Sequence, residues 1–463
     1  MSSAGSIQIA QPGVASRRIF ALAALGLGQA GIYFTLALWD GYHQQPFPAI
    51  LLILIAFTLY LASIGVAQGL SGRTALAIAL GLAFLFRASL VLEPPFLTDD
   101  YYRYLWDGLV QTRGGGAGGA AGAAGAGGGG GLNPFRYAPA DTALAGIDDA
   151  LRARVNNPTV PTIYPPLAQL VFLAVAALHA GWIGLKLVWL ACDAAIAVLI
   201  YKLTPAQRRL QSWLIYAWSP LVVIEVAWNA HLDLLGVLPL VAAIGFAARK
   251  PDRPLATGLA LALSTDVKYF AAALVPGAAR VSKRPLSVLI AFTLAALALY
   301  IPYVSVGSGL FTGLGIFVDR WIFNAGVFQL LLWALRSLTA AKAVAAAIVL
   351  SVVAASVRND WPLERTAFWV TGAILMLSPT VHPWYVLWMV PLIALRPNRA
   401  WLYLSGSVFL AYYGLGIYRT QGVWPEPLWL RAVIWGPFLV TLAIDSWRDS
   451  WLQTAVGVLR RSP

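Results

Sequence analysis

Charge is what this chain is short of. Only 11% of its 463 residues are Asp, Glu, Lys or Arg, against about 25% in an ordinary soluble domain. Acidic groups are scarcest, 19 against 32 Lys and Arg, while 59% of the chain is hydrophobic. Those proportions exclude a soluble enzyme or a solvated binding module. A single cysteine, Cys192, lies inside an apolar stretch, so no disulfide can form within one chain. The alternation of roughly ten-residue segments that marks an outer-membrane barrel is absent. Also missing is any phosphate loop with its lysine and hydroxyl. The net charge of +13 invites a nucleic-acid partner. Most basic residues sit in short loops between apolar stretches, however, where they set membrane orientation, so no nucleic acid is expected.

What is there is apolar sequence in long pieces. A helix needs about 20 residues to cross a ~30 Å hydrocarbon core, and more than ten stretches approach that length. The expected fold class is all-α: one polytopic membrane helix bundle over residues 1–463, with about 12 crossings plus juxtamembrane and re-entrant helices. Arg17 and Arg18 put the N-terminus in the cytoplasm and precede an uncleaved first helix. Spans near 19–39, 47–69 and 74–92 then leave residues 93–164 outside as the long external loop. The piece 165–180 is short and reads as interfacial, because a crossing there would turn Lys202, Arg208 and Arg209 outward. Spans follow near 184–203, 210–228 and 231–249. The stretch 255–277 is flanked by cations on both sides and predicts a re-entrant pair with Lys268 at its turn. A span at 286–304, a second external loop at 305–326, and an interfacial piece at 327–338 come next. Spans near 340–357, 364–380, 383–396, 400–417 and 428–446 finish the bundle. Residues 114–131 are glycine and alanine throughout, a low-complexity insert that lengthens the loop.

This topology sends the unusual polar residues to one membrane face. The densest segment, Thr98-Asp99-Asp100-Tyr101-Tyr102-Arg103-Tyr104-Leu105-Trp106-Asp107-Gly108, opens the first external loop. Asn156 and Tyr164 follow in the same loop, His231 and Asp233 in a turn, Arg320 and Asn324 in the second loop, and His382, Trp384 and Tyr385 beyond. Thr98 is a candidate cap for a helix on which Asp99, Arg103 and Asp107 stack at i, i+4 and i+8. Two roles compete for the acidic pair. One is dipole complementarity with surface ion pairing; the other is a general base kept ionised by the helix end and oriented by Arg103. A divalent cation on Asp99 and Asp100 is a third option, with few ligands. Lys268 inside an apolar hairpin needs a partner, either Asp266 or an anionic ligand such as phosphate. Asp193 and Glu225 read as interhelical polar pairs. Trp106 and Trp384 are external tryptophans able to stack on a sugar.

These residues carry a resemblance. Asp99 to Gly108, then Asn133-Pro134-Phe135-Arg136-Tyr137-Ala138-Pro139, then Tyr164-Pro165-Pro166 resemble the GT-C superfamily of membrane glycosyltransferases. The likeness is greatest to bacterial polyprenyl-phosphate-mannose-dependent mannosyltransferases. Asn229-Ala230-His231-Leu232-Asp233, Lys268-Tyr269, Trp321-Ile322-Phe323-Asn324 and His382-Pro383-Trp384-Tyr385 follow in the same order. The Gly-Ala insert departs from that pattern. The resemblance implies a multi-pass protein of the bacterial plasma membrane with its active site on the extracytoplasmic side. It implies inverting transfer of a hexose, mannose first among them, from a polyprenyl-phosphate donor to a hydroxyl of a glycan, glycolipid or protein. Asp99 would be the catalytic carboxylate and Asp100 its assistant. Arg103, Tyr104, Trp106, Asp107, Tyr164, His231, Asp233, Lys268, Arg320, Asn324, His382, Trp384 and Tyr385 would bind substrate, with Arg103, Lys268 and Arg320 facing the phosphate. The resemblance fixes no cofactor; a divalent cation, if any is held, would sit at Asp99 and Asp100. A transporter or lipid-linked sugar flippase is the alternative, disfavoured because no internal repeat is visible.

Overall fold

The computed structural model describes residues 12–39, 46–113 and 132–459. The Gly-Ala insert 114–131 and the C-terminal Arg460 and Arg461 lie outside the described residues. Among the described residues helix is the regular element, and a lone bridge joins Phe323 to Thr380. The chain begins with α1 (Pro12–Leu38), α2 (Pro46–Ala67) and α3 (Arg73–Ala88). The acidic motif forms α4 (Asp100–Thr112), and α5 (Pro166–Ala177) lies beside it. Then come α6 (Gly181–Leu203), α7 (Ala206–Trp228), α8 (Asp233–Ala247), α9 (Pro254–Thr265) and α10 (Tyr269–Val281). After them run α11 (Pro285–Tyr300), α12 (Thr312–Arg320), α13 (Val327–Leu335) and α14 (Leu338–Arg358). The last are α15 (Leu363–Leu377), α16 (Pro383–Leu395), α17 (Arg399–Gln421) and α18 (Leu428–Leu459).

Prolines open many of these helices, because their fixed φ suits the first turn and their missing N–H is no loss there. Eight helical runs are long and apolar enough to cross a membrane: α1, α2, α6, α7, the continuous run α11–α12, α14, α17 and α18. The other four expected spans, α3, α8, α15 and α16, have 16 residues or fewer. They fall short of the ~20 residues a crossing needs. Nearly all of α16 is buried, so its flanks are protein. The expected re-entrant pair is a true hairpin: α9 and α10 run antiparallel with Lys268 at their junction, and the Ser282 hydroxyl meets Asp252 at 2.7 Å where their far ends return together. The expected second external loop is mostly helical instead. A 3-10 turn over Ile301–Phe311 bends at Gly307, φ +61°, and leads into α12.

The bundle has two distinct poles. At one, Arg208 reaches the Leu395 carbonyl, Arg280 pairs with Asp360 at 3.0 Å, and Arg399 pairs with Asp445. At the other lie the loop before α4, the turn 229–232, Lys268, the segment 378–382 and the end of α17. Here α4 presses against α5. A Cβ on Gly108 would meet the Phe172 carbonyl oxygen at 2.2 Å, so only glycine fits at the end of the Trp-Asp-Gly triplet.

Candidate active site

The acidic pair begins with local geometry. Asp99, not Thr98, is the residue preceding α4, and Thr98 instead accepts the Asp100 N–H on its hydroxyl at 3.1 Å. Asn156 in the returning loop donates to Asp99 Oδ1 at 2.7 Å and to Asp100 Oδ1 at 3.3 Å. One amide thus holds both carboxylates. The expected helix-end effect does not prevail: burial raises the Asp99 carboxyl above its ordinary range, against the Asn156 bond and the Arg419 charge. Burial, helped by the neighbouring Asp99 charge, lifts Asp100 to about 7.

Both carboxylates face a cavity of about 1110 Å³. Lys268, His382, Tyr385, Arg103, Tyr164 and Trp384 share its wall with them. Lys268 pairs with Asp233 at 2.6 Å rather than Asp266, and its ammonium lies 4.0 Å from the centre of the Tyr385 ring. Asp233 also accepts the Trp388 indole N–H at 2.7 Å. Beyond these groups the cavity extends as an apolar slot. Leu314, Phe317 and Val318 of α12 line it together with Ala345, Ala346, Val349 and Leu350 of α14 and Ile374 and Leu377 of α15. The α14 residues recur at three- and four-residue spacing, one stripe of the helix. Lys342 stands on that stripe and meets Asp319 at 3.4 Å.

Several expected site residues lie off the cavity or are engaged with protein partners. Arg103 does not orient Asp99; it is buried against Asp107 at 2.9 Å and donates to the Val160 carbonyl. That pair, with Gln169 on Asp107, staples α4 to the returning loop. Tyr104 packs flat on Phe172 at 4.9 Å, away from the cavity wall. Trp106 is buried with Val110, Leu144 and Val155, so it offers no face to a sugar. Trp384 does line the cavity but lies between His231 at 3.9 Å and His382 at 4.3 Å, with its ring faces taken. His231 is fully buried behind it. Burial and the nearby Lys268 hold His382 down at about 3, a neutral ring stacked on Phe323. Asn324 is buried and fixes the 378–382 segment by donating to the Val381 carbonyl. Arg320 is exposed at the end of α12 and lines a separate shallow depression with Trp321 and Ile322. Asp193 pairs with Arg87, and Glu225 bonds Tyr412 across helices.

Residues not singled out from the sequence complete the wall: Arg419, Glu426, Tyr412, Tyr418 and Trp424. Arg419 donates to the Phe96 carbonyl and covers the Phe96 ring at 4.6 Å, three residues before Asp99. Its signal was present, since an arginine at the expected outer end of a span runs against the positive-inside bias. Among the described residues no group of three or more His, Cys, Asp and Glu side chains is arranged to hold a metal ion. Asp99 and Asp100 would be a cation's carboxylate ligands, too few for a calcium cage but the number that suits a magnesium ion keeping its waters and sharing a substrate phosphate. No family model matches the chain, and no curated protein or solved structure does either.

Proposed function

We propose that this chain is a GT-C-like glycosyltransferase, its eight long spans joined by four shorter helices to make about twelve crossings, taking a hexose such as mannose from a polyprenyl-phosphate donor. One observation carries the reading: one cavity joins a half-buried carboxylate pair to an apolar slot between helices, with Lys268 and Arg419 at the polar end. A lipid-linked sugar has the same division, a long apolar chain, one phosphate and a polar ring. The prenyl chain lies in the slot between α12 and α14. Its phosphate sits toward Lys268 and Arg419, and the sugar beside Asp99.

In the proposed step the acceptor hydroxyl oxygen attacks the anomeric carbon as the bond from that carbon to the phosphate oxygen breaks. The bonding pair leaves with the lipid phosphate, and Asp99 takes the hydroxyl proton. Displacement on the far side inverts the anomeric centre. Fixed cations favour the phosphate charge as it develops, most strongly where water is excluded. Asp100, held near neutrality by burial and its neighbour, shares the Asn156 amide and serves as a hydrogen-bond partner for the sugar. Acceptors fitting this chemistry are a glycan, a glycolipid or a protein hydroxyl. The basic pole would face the cytoplasm of a bacterial plasma membrane and the cavity the extracytoplasmic side. A flippase needs a polar route to both faces, whereas this polar wall is drawn from segments at one pole.

The test is transfer by purified protein from a panel of polyprenyl-phosphate sugars, beside Asp99→Asn. Loss of a general base costs roughly 10²–10⁴ in rate, so the variant should fold normally and transfer almost nothing. Normal turnover would remove Asp99 from the base role, and wild-type inactivity with every donor would sink the reading.

A further inference from the structure

Behind the cavity wall, the end of α7 departs from the ordinary helix. Residues Val223–Trp228 form a π-helical turn, and Ala230 just beyond it has φ +60°. Such turns are rare and cluster at functional sites, where the extra residue re-aims side chains. Each residue it re-aims here touches something that shapes the cavity. The Asn229 side-chain oxygen accepts the Leu97 N–H at 3.1 Å, two residues before Asp99. Trp228 stacks on Phe96 at 5.6 Å. His231 stacks on Trp384, and Asp233 holds Lys268.

At the base of this arrangement is Glu225, fully buried. It accepts the Asn229 amide at 3.0 Å and the Tyr412 hydroxyl at 3.1 Å, and lies 3.4 Å from His231 Nε2. With its amide end fixed on Glu225, the Asn229 oxygen can point only at the Leu97 backbone. A buried carboxylate is costly in such a place, and an apolar residue would fill the volume more cheaply. A carboxylate in that place points to a role that apolar packing cannot supply.

We infer that Glu225 is a positioning residue: through Asn229 it fixes the backbone at Leu97 and so sets where the Asp99 carboxylate stands in the cavity. The placement itself is independent of the reaction; only its kinetic consequence rests on the glycosyltransfer reading.

The first test needs no substrate. Cys192, the chain's one cysteine, is buried, so Thr98→Cys reports the loop by its rate of thiol labelling. In Glu225→Ala that rate should rise about tenfold, since an opened loop labels in proportion to its open population. In Glu225→Gln, which can still accept from Asn229 through its amide oxygen, it should stay near wild type. Ser308→Cys, exposed on the 3-10 turn before α12, is the control and should not change. Unchanged labelling at 98 in Glu225→Ala, equal acceleration in the Gln variant, or parallel acceleration at 308 would each overturn the assignment. If Glu225→Ala does not accumulate, Asn229→Ala asks the same question by removing the Leu97 contact together with the amide's bond to Glu225.

The second test is kinetic. Misplacing a reacting group by about 1 Å costs around a hundredfold. Glu225→Ala should therefore lower kcat by that order with donor KM little changed, and Glu225→Gln should restore most of it. A rise in KM at constant kcat would contradict the positioning role. Wild-type protein without any transfer would defeat the glycosyltransfer reading while the labelling result stood.

Discussion

At its carboxylate end the cavity is tied down by polar side chains: Asn156 to both aspartates, Asp233 to Lys268 and Trp388, Arg419 to the Phe96 carbonyl. Along the slot the walls are plain apolar faces of α12 and α14, and the polar contact is the open Lys342–Asp319 pair, whose aspartate is 79% exposed. On the proposed reading the two ends meet different physical demands. Chemistry loses rate steeply when a group moves by an ångström, so its residues need more than one restraint. A hydrocarbon chain gains its affinity from area without direction, and it must slide in from the side. An anchored polar end beside a plain apolar groove is what a cavity would need to do both.

Unpairing Lys268 should give the largest effect on stability. Lys268→Met leaves Asp233 fully buried without its cation. Breaking a buried pair from one side costs about 3–5 kcal/mol, which thermal unfolding in detergent should register as a marked drop in Tm. Adding Asp233→Asn should recover most of the loss, because the amide oxygen can still accept from Trp388. At the other end Lys342→Met should cost less than about 1 kcal/mol, as exposed pairs do. Equal losses at the two ends would erase the contrast between them. On the proposed reading Lys268→Met also weakens donor binding, and unchanged donor affinity in the refolded double variant would confine Lys268 to a structural part.

Filling the slot should come next. Ala346 is small, exposed and on its wall, and Ala346→Trp places an indole where a prenyl chain would run. Donor KM with a full-length chain should rise roughly tenfold, about 1.4 kcal/mol. A donor cut to two prenyl units should be unaffected. A rise of equal size for both donors would show that the indole disturbs the polar end instead, and no change for either would move the chain out of the slot.

The two ends also differ in how far the sequence disclosed them. Asp99, Asp100, Lys268, His382 and Tyr385 stand out because polar groups in apolar surroundings are expensive, and all line the cavity. The hairpin with Lys268 at its turn was readable from cations on both flanks. Partners were not readable. Lys268 takes Asp233, 35 residues away, over Asp266 two residues away, and Arg103 takes Asp107 over Asp99, because packing, not proximity along the chain, selects among carboxylates. Trp106 and Trp384 looked free since composition does not say which ring faces are covered. The slot was the least visible part, being ordinary apolar sequence like every neighbouring span.

The smallest effect expected is also the one that best isolates the polar end. Asn156 donates to both Asp99 and Asp100, and a donated hydrogen bond favours the ionised form. Both carboxyls already stand above their ordinary range, because burial outweighs that bond. Removing the amide in Asn156→Ala must push them higher still. A general base works only when deprotonated, so transfer should fall as pH drops through its folded pKa, and the acid limb of kcat/KM should lie above the usual carboxylate range. In Asn156→Ala that limb should move to higher pH, lowering the rate near neutrality and leaving the alkaline plateau nearly intact. Ala346→Trp, acting only on the lipid chain, should change the height of the profile and not its inflection. A limb that stayed fixed in Asn156→Ala would mean that the titrating group is not the pair this amide holds.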